Sequence, residues 1–97
     1  MTTTTPVEFS VVVCAYADDR WDDLARALKS VRDQTLAPRE TIVVSDHNEQ
    51  LRARAADAFP WAQVIPNEGR QGLSDARNAG VQASTGSVVA FLDDDAV

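Results

Sequence analysis

Three consecutive carboxylates, Asp93, Asp94 and Asp95, follow the apolar run 88–92 (VVAFL). Like charges a few ångströms apart repel one another unless water or a cation screens them. Hard cations such as Mg2+ and Mn2+ take carboxylate and phosphate oxygens, so the triplet is a candidate divalent-metal site. A solvated acidic strand end is the alternative. Other residues could share a ligand with it. Tyr16 could stack on a base or simply pack. Asp46 could accept hydrogen bonds from a base imide or cap a helix. Asn67 offers an amide, and Arg77, among small residues one turn into a helix, offers a guanidinium to phosphate. Between them the loop 67–72 carries two glycines and leads into a helix N-terminus, whose amides favour anions. Arg70 reads as a solvated surface charge. His47, the one histidine, reads as an exposed loop residue beside Asp46.

These groups can meet only if the chain brings them to one edge. The run 9–15 (FSVVVCA) is β-branched and apolar on both faces, as a buried parallel strand requires. Asp18 and Asp19 are placed to cap a helix in which Trp21, Leu24, Leu28 and Val31 recur at helical spacing, with Pro38 after its end. A second strand spans 41–44, and a second helix carries Leu51, Ala55 and Phe59 on one face and stops at Pro60. A third strand spans 62–65. A third helix runs from Leu73 to Thr85, with Ala76, Ala79, Gly80 and Ala83 on one side, and Gly86 ends it. A last strand, 87–92, delivers the acids. The order βαβαβαβ implies an α/β fold: an open, mostly parallel, Rossmann-like sheet with helices on both faces and right-handed crossovers. Ligands of such sheets bind outside the carboxyl ends of the strands. Ala15 and Tyr16, Asp46, Asn67 and the aspartates all fall on that edge.

Composition narrows the possibilities. The chain has 97 residues, enough for one domain, with a net charge of −6, which argues against a nucleic-acid backbone as partner. No apolar stretch approaches the roughly 20 residues of a membrane span, and the start lacks the basic and apolar regions of a secretory signal. Residues 1–7 read as a disordered lead and 8–97 as the domain. The single cysteine, Cys14, lies in an apolar run and reads as a buried small hydrophobe. One cysteine and no signal fit a cytoplasmic location.

Taken together, the segments resemble the nucleotide-binding half of the inverting family 2 glycosyltransferases, which have the GT-A fold. The resemblance rests on 10–16 (SVVVCAY), 30–34 (SVRDQ), 40–48 (ETIVVSDHN), Asn67 to Gly69, 72–80 (GLSDARNAG) and 91–95 (FLDDD). It implies that Tyr16 and the backbone around Ala15 line a base pocket, that Asp46 binds the base, and that Asn67 and Arg77 contact the nucleotide. Asp93 and Asp95 would be the aspartates of the D-x-D motif, with Asp95 on the metal, Asp93 near the ribose or a metal-bound water, and Asp94 beside the nucleotide. The implied cofactor is Mn2+ or Mg2+, the implied partner a nucleotide-diphosphate sugar, and the implied reaction transfer to an acceptor hydroxyl with inversion. Two departures stand out: Ser45-Asp46-His47-Asn48 where the family commonly has Asp-Asp-Gly-Ser, and Cys14-Ala15-Tyr16 where it has Pro-Thr-Tyr. The family's acceptor region and catalytic base lie beyond the D-x-D motif. The resemblance therefore implies a donor-binding half, truncated after that motif, with the base expected beyond Val97 and no catalytic residue within the chain. Self-association through an open sheet edge is then an expectation.

Other readings fit less well. A dinucleotide-binding domain needs G-x-G-x-x-G after the first strand, and 14–19 (CAYADD) has none. A receiver domain needs an aspartate after its third strand and a lysine after its fifth, but Asn67 stands there and the sole lysine, Lys29, is in a helix. A haloacid-dehalogenase-like phosphatase would use the 92–95 segment as its nucleophile motif and needs a further cap. A non-catalytic nucleotide-sugar-binding module is the remaining alternative.

Overall fold

A computed structural model describes residues 8–16, 18–34, 38–86 and 88–93. The expected lead 1–7, the aspartates Asp94 and Asp95, and Val97, beyond which the base is expected, lie outside these residues. Four strands, β1 (Phe9–Ala15), β2 (Glu40–Ser45), β3 (Gln63–Pro66) and β4 (Val88–Asp93), alternate with helices α1 (Trp21–Arg32), α2 (Glu49–Ala58) and α3 (Leu73–Ala83). All pairings are parallel and the spatial order is β3-β2-β1-β4. The chain steps one way from β1 to β3 and then returns past β1 to β4. That reversal sends α3 to the opposite face from α1 and α2, as right-handed crossovers demand.

Two apolar layers follow from the alternation of side chains along the strands. Val11, Val13 and Val43 pack with Leu24, Leu28 and Val31 of α1 and Leu51 of α2. Val12, Ile42 and Val44 face the other way, onto Ala76 and Ala79 of α3. Each fully buried valine or leucine contributes about 1.5–3 kcal/mol. The small residues of α3 allow a close approach: a Cβ on Gly80 would stand 2.3 Å from Val12 Cγ1. At the outer end of α1 and α2, Trp21 stacks on Phe59 with centroids 5.4 Å apart, and the Arg54 guanidinium lies 3.8 Å over Trp21.

At the amino ends of the strands, one carboxylate gathers three segments. Glu40 Oε2 accepts from Ser10 Oγ at 2.7 Å, from Thr85 Oγ1 at 2.9 Å and from the Thr85 backbone N–H. Gly86 N donates to Ser10 Oγ at 3.0 Å, and Arg39 Nε donates to Thr85 Oγ1 at 3.0 Å. The Ser10 hydroxyl, then the Thr85 amide, hold the Glu40 carboxyl below the usual carboxylate range.

Several boundaries differ from the sequence reading. The N-cap position of α1 falls on Arg20, whose side chain makes no capping hydrogen bond, and Asp18 and Asp19 lie before it in a 3-10 turn. The acids that favour its N-terminus are Asp22 and Asp23, in its first turn. α3 ends at Ala83 rather than Thr85, because Ser84 Oγ turns back to Val81 O at 2.6 Å and Thr85 is recruited by Glu40. β3 is shifted by one residue and closes on Pro66, whose missing N–H is tolerated on an edge strand. Cys14 is half-buried rather than buried. On β4, Val88 and Phe91 remain about half exposed.

Candidate functional site

The strand order reverses between β1 and β4, so the switch point lies between their carboxyl ends. Cys14 is in register with Asp93, the last residue of β4. The β4 backbone therefore carries the first aspartate to the level at which β1 ends and Tyr16 begins. The Asp93 side chain lies outside the described set. Tyr16 itself is 55% exposed.

Next to β1, Ala15 is buried and its carbonyl accepts the Asp46 N–H at 2.7 Å, extending the β1–β2 ladder by one bond. Asp46 is 8% exposed. A carboxylate so placed needs partners, and it has them on both oxygens. Asn67 Nδ2 donates to Oδ1 at 2.9 Å and Gly72 N donates to Oδ2 at 3.0 Å. The helix-capping alternative for Asp46 is excluded: Asn48 caps α2, its Oδ1 accepting from Leu51 N at 3.0 Å. Asn48 Nδ2 also donates to the Tyr16 carbonyl at 3.1 Å, tying the β1 and β2 exits together.

Asn67 organises the loop that follows β3. Its Nδ2 also donates to Arg70 O at 2.8 Å, and its Oδ1 accepts from Gly69 N at 3.0 Å. Both amide hydrogens are thus spent on protein acceptors. Asp75, in the first turn of α3, accepts from Arg70 N at 2.7 Å. Gly72 has φ 144°, a conformation in which a Cβ would be strained. His47 takes φ 56°, and its Nε2 donates to the Gly69 carbonyl at 2.7 Å. Depressions of about 480 Å3 and 280 Å3 flank Asn67, one along α3 and one against the start of α2. Neither is lined by Tyr16.

Arg77 is half-buried, with its guanidinium carbon 5.4 Å from the Phe91 ring centroid. The cation therefore lies beside the strand that ends in Asp93. Arg70 is exposed, as its surface reading expects. The structure brings Asp46 and Asn67 into contact and links Tyr16 to their turn through Asn48. Sequence reasoning does not pick out Gly72 N, Asp75 or Asn48 as partners in this cluster. Only Asn48 leaves a local signal, an Asn three residues before the first buried residue of its helix.

A parallel α/β sheet with α3 on one face and α1 and α2 on the other defines a Rossmann-like domain. The comparisons with known proteins are specific. Residues 10–97 match the family described as Glycosyl transferase family 2, and the chain belongs to that family. Its sequence is 37% identical over 93 residues to the glucosyl-dolichyl phosphate glucuronosyltransferase of Haloferax volcanii, covering 93% of this chain and 30% of that protein. It is 36% identical over 92 residues to the amylovoran biosynthesis glycosyltransferase AmsE of Erwinia amylovora, covering 90% of this chain and 34% of the relative. The fold is similar to that of S. aureus TarS 1-349, with a TM-score of 0.74 at 24% identity over 92% of this chain and 28% of that one. The chain spans about a third of the length of these relatives.

No group of three or more His, Cys, Asp or Glu side chains converges as a metal site among the described residues. The donor set 93–95 is made of hard carboxylate oxygens, which suits Mg2+ or Mn2+ rather than a softer metal. None of the described helices is long and apolar enough to cross a membrane.

Proposed function

We propose that this chain binds the donor of a glycosyl transfer, a nucleotide-diphosphate sugar, at the carboxyl edge of its sheet. The observation that carries the reading is the buried Asp46 carboxylate, fixed by Asn67 and Gly72 one strand away from the switch point. A preset acceptor there suits the imide N–H of a pyrimidine or the equivalent edge of guanine. Tyr16, half exposed at the end of β1, offers a ring for stacking. Asn67, its amide engaged by Asp46, Arg70 and Gly69, orders the loop beside the nucleotide, and Arg77 contacts the nucleotide from the side of β4. Asp93 and Asp94 would face the ribose and phosphates, and Asp95 with Asp93 would hold Mn2+ or Mg2+, which would supply Lewis-acid stabilisation of the diphosphate.

In this reading the acceptor hydroxyl attacks the anomeric carbon and gives its proton to a base. The bond from that carbon to the diphosphate breaks in the same displacement, with inversion. The base and the acceptor site would lie in the remainder of the relatives' length, of which the matched segment spans about a third.

Thermal unfolding of the 97-residue chain with Mn2+ and a panel of nucleoside diphosphates tests the proposal. A ligand bound only by the native state raises stability, by about 2.7 kcal/mol at one hundred times its Kd. Metal-dependent stabilisation by UDP or GDP that disappears in Asp95→Ala supports the reading. Absence of any shift at millimolar nucleotide overturns it.

A further inference from the structure

His47 is the one non-glycine residue with a positive φ among the described residues. L side chains enter that region at a steric cost that glycine escapes. A side chain kept there invites a search for what it contributes. The His47 ring is exposed and takes no part in the core, so packing does not account for it. Its Nε2 reaches 22 residues along the chain to the Gly69 carbonyl, at 2.7 Å. The neighbouring Asp46 grips the same loop at Asn67 and at Gly72. Two consecutive residues therefore hold the 67–72 loop at its start, its middle and its end. The middle point belongs to His47. Past that loop begins α3, which carries Arg77.

We propose that His47 is a positioning residue whose hydrogen bond to Gly69 latches the 67–72 loop against Asp46 and thereby sets how tightly a nucleoside diphosphate is held. The effect on binding rests on the donor-binding reading above; the latch does not. With Gly in place of His47, the backbone keeps its turn without strain while the loop loses its central tie. Stability and ligand affinity then move in different directions, which a purely structural residue would not produce.

The test uses the 97-residue chain with His47→Gly and His47→Gln, whose amide also donates to a carbonyl. Amide hydrogen exchange at Gly69 and Gly72, thermal unfolding, and UDP titration in Mn2+ are measured on each. For His47→Gly the melting temperature holds or rises. Exchange at the two glycine amides speeds up, and UDP affinity falls, each by roughly three- to tenfold, the range one neutral hydrogen bond supplies. His47→Gln recovers part of both losses. Unchanged exchange in His47→Gly overturns the latch whatever the nucleotide does. Faster exchange with unchanged UDP affinity overturns its role in binding. If the wild-type chain binds neither UDP nor GDP, the donor reading falls, and the exchange result still decides the latch.

Discussion

Asn67 Nδ2 lies 2.9 Å from Asp46 Oδ1, joining the exits of two strands 21 residues apart in a buried contact. Neither residue is interchangeable with its neighbours in this role. The carboxylate needs donors because it is buried, and the amide has a second hydrogen to spend on Arg70 O. Truncation of Asn67 to Ala leaves the carboxylate with Gly72 N as its remaining donor and frees the loop. A stability loss of about 1–3 kcal/mol is expected, the cost of an under-satisfied buried acceptor. Urea unfolding reads it, and a loss under about 0.5 kcal/mol, the effect of a surface change, contradicts the contact's importance.

The phosphate contact proposed for Arg77 can be tested apart from folding. Arg77→Gln should weaken UDP binding by about tenfold, the scale of one charge-assisted hydrogen bond. Binding of uridine, which has no phosphate, should change far less. Calorimetric titration of both ligands makes the comparison, and equal losses for the two would mean that Arg77 acts on the base pocket or the fold instead.

Glu40 predicts an acid-sensitive contribution to stability. Its folded pKa lies below the ordinary value, chiefly through the Ser10 hydroxyl and the Thr85 amide. The ionised form therefore stabilises the native state above the ordinary carboxylate range. That contribution is lost as pH falls from about 4.5 through the folded pKa. Unfolding midpoints measured from about pH 6 to pH 3 should fall less steeply in Glu40→Gln than in the wild type. Parallel curves would show that the hydrogen bonds do not discriminate between the two protonation states.

Gly80 tests how closely α3 approaches the sheet. A Cβ at that position would meet Val12 Cγ1 at 2.3 Å, and Val12 is fully buried. Gly80→Ala should cost about 1–3 kcal/mol by overpacking, despite the better helix propensity of alanine. Adding Val12→Ala should recover part of that loss beyond what the single changes sum to, as a double-mutant cycle would show. Additive effects would mean that the contact is not the cause.

The alternation of strands and helices was legible because buried valine runs and the helical spacing of Trp21, Leu24, Leu28 and Val31 are local patterns. The same patterns placed Asp46 and Asn67 on one sheet edge, where the structure has them in contact. What they do not encode is which side chain reaches which distant partner. Nothing near Thr85 announces that Glu40, 45 residues earlier, will take its amide and draw the chain out of α3. Likewise the left-handed turn at His47 follows from the path between β2 and α2, which periodicity does not describe.

Glu40, Ser10 and Thr85 form their knot at the amino ends of the strands, opposite Asp46 and Asp93. The alignment of β4 is thus anchored at the opposite end from the carboxyl edge. For protein engineering this separates aim from content. A library randomised at 47 and 68–71 would vary the carboxyl edge while leaving untouched the joint that aligns β4. Changes at that edge then need no rebuilding of the frame at the other end.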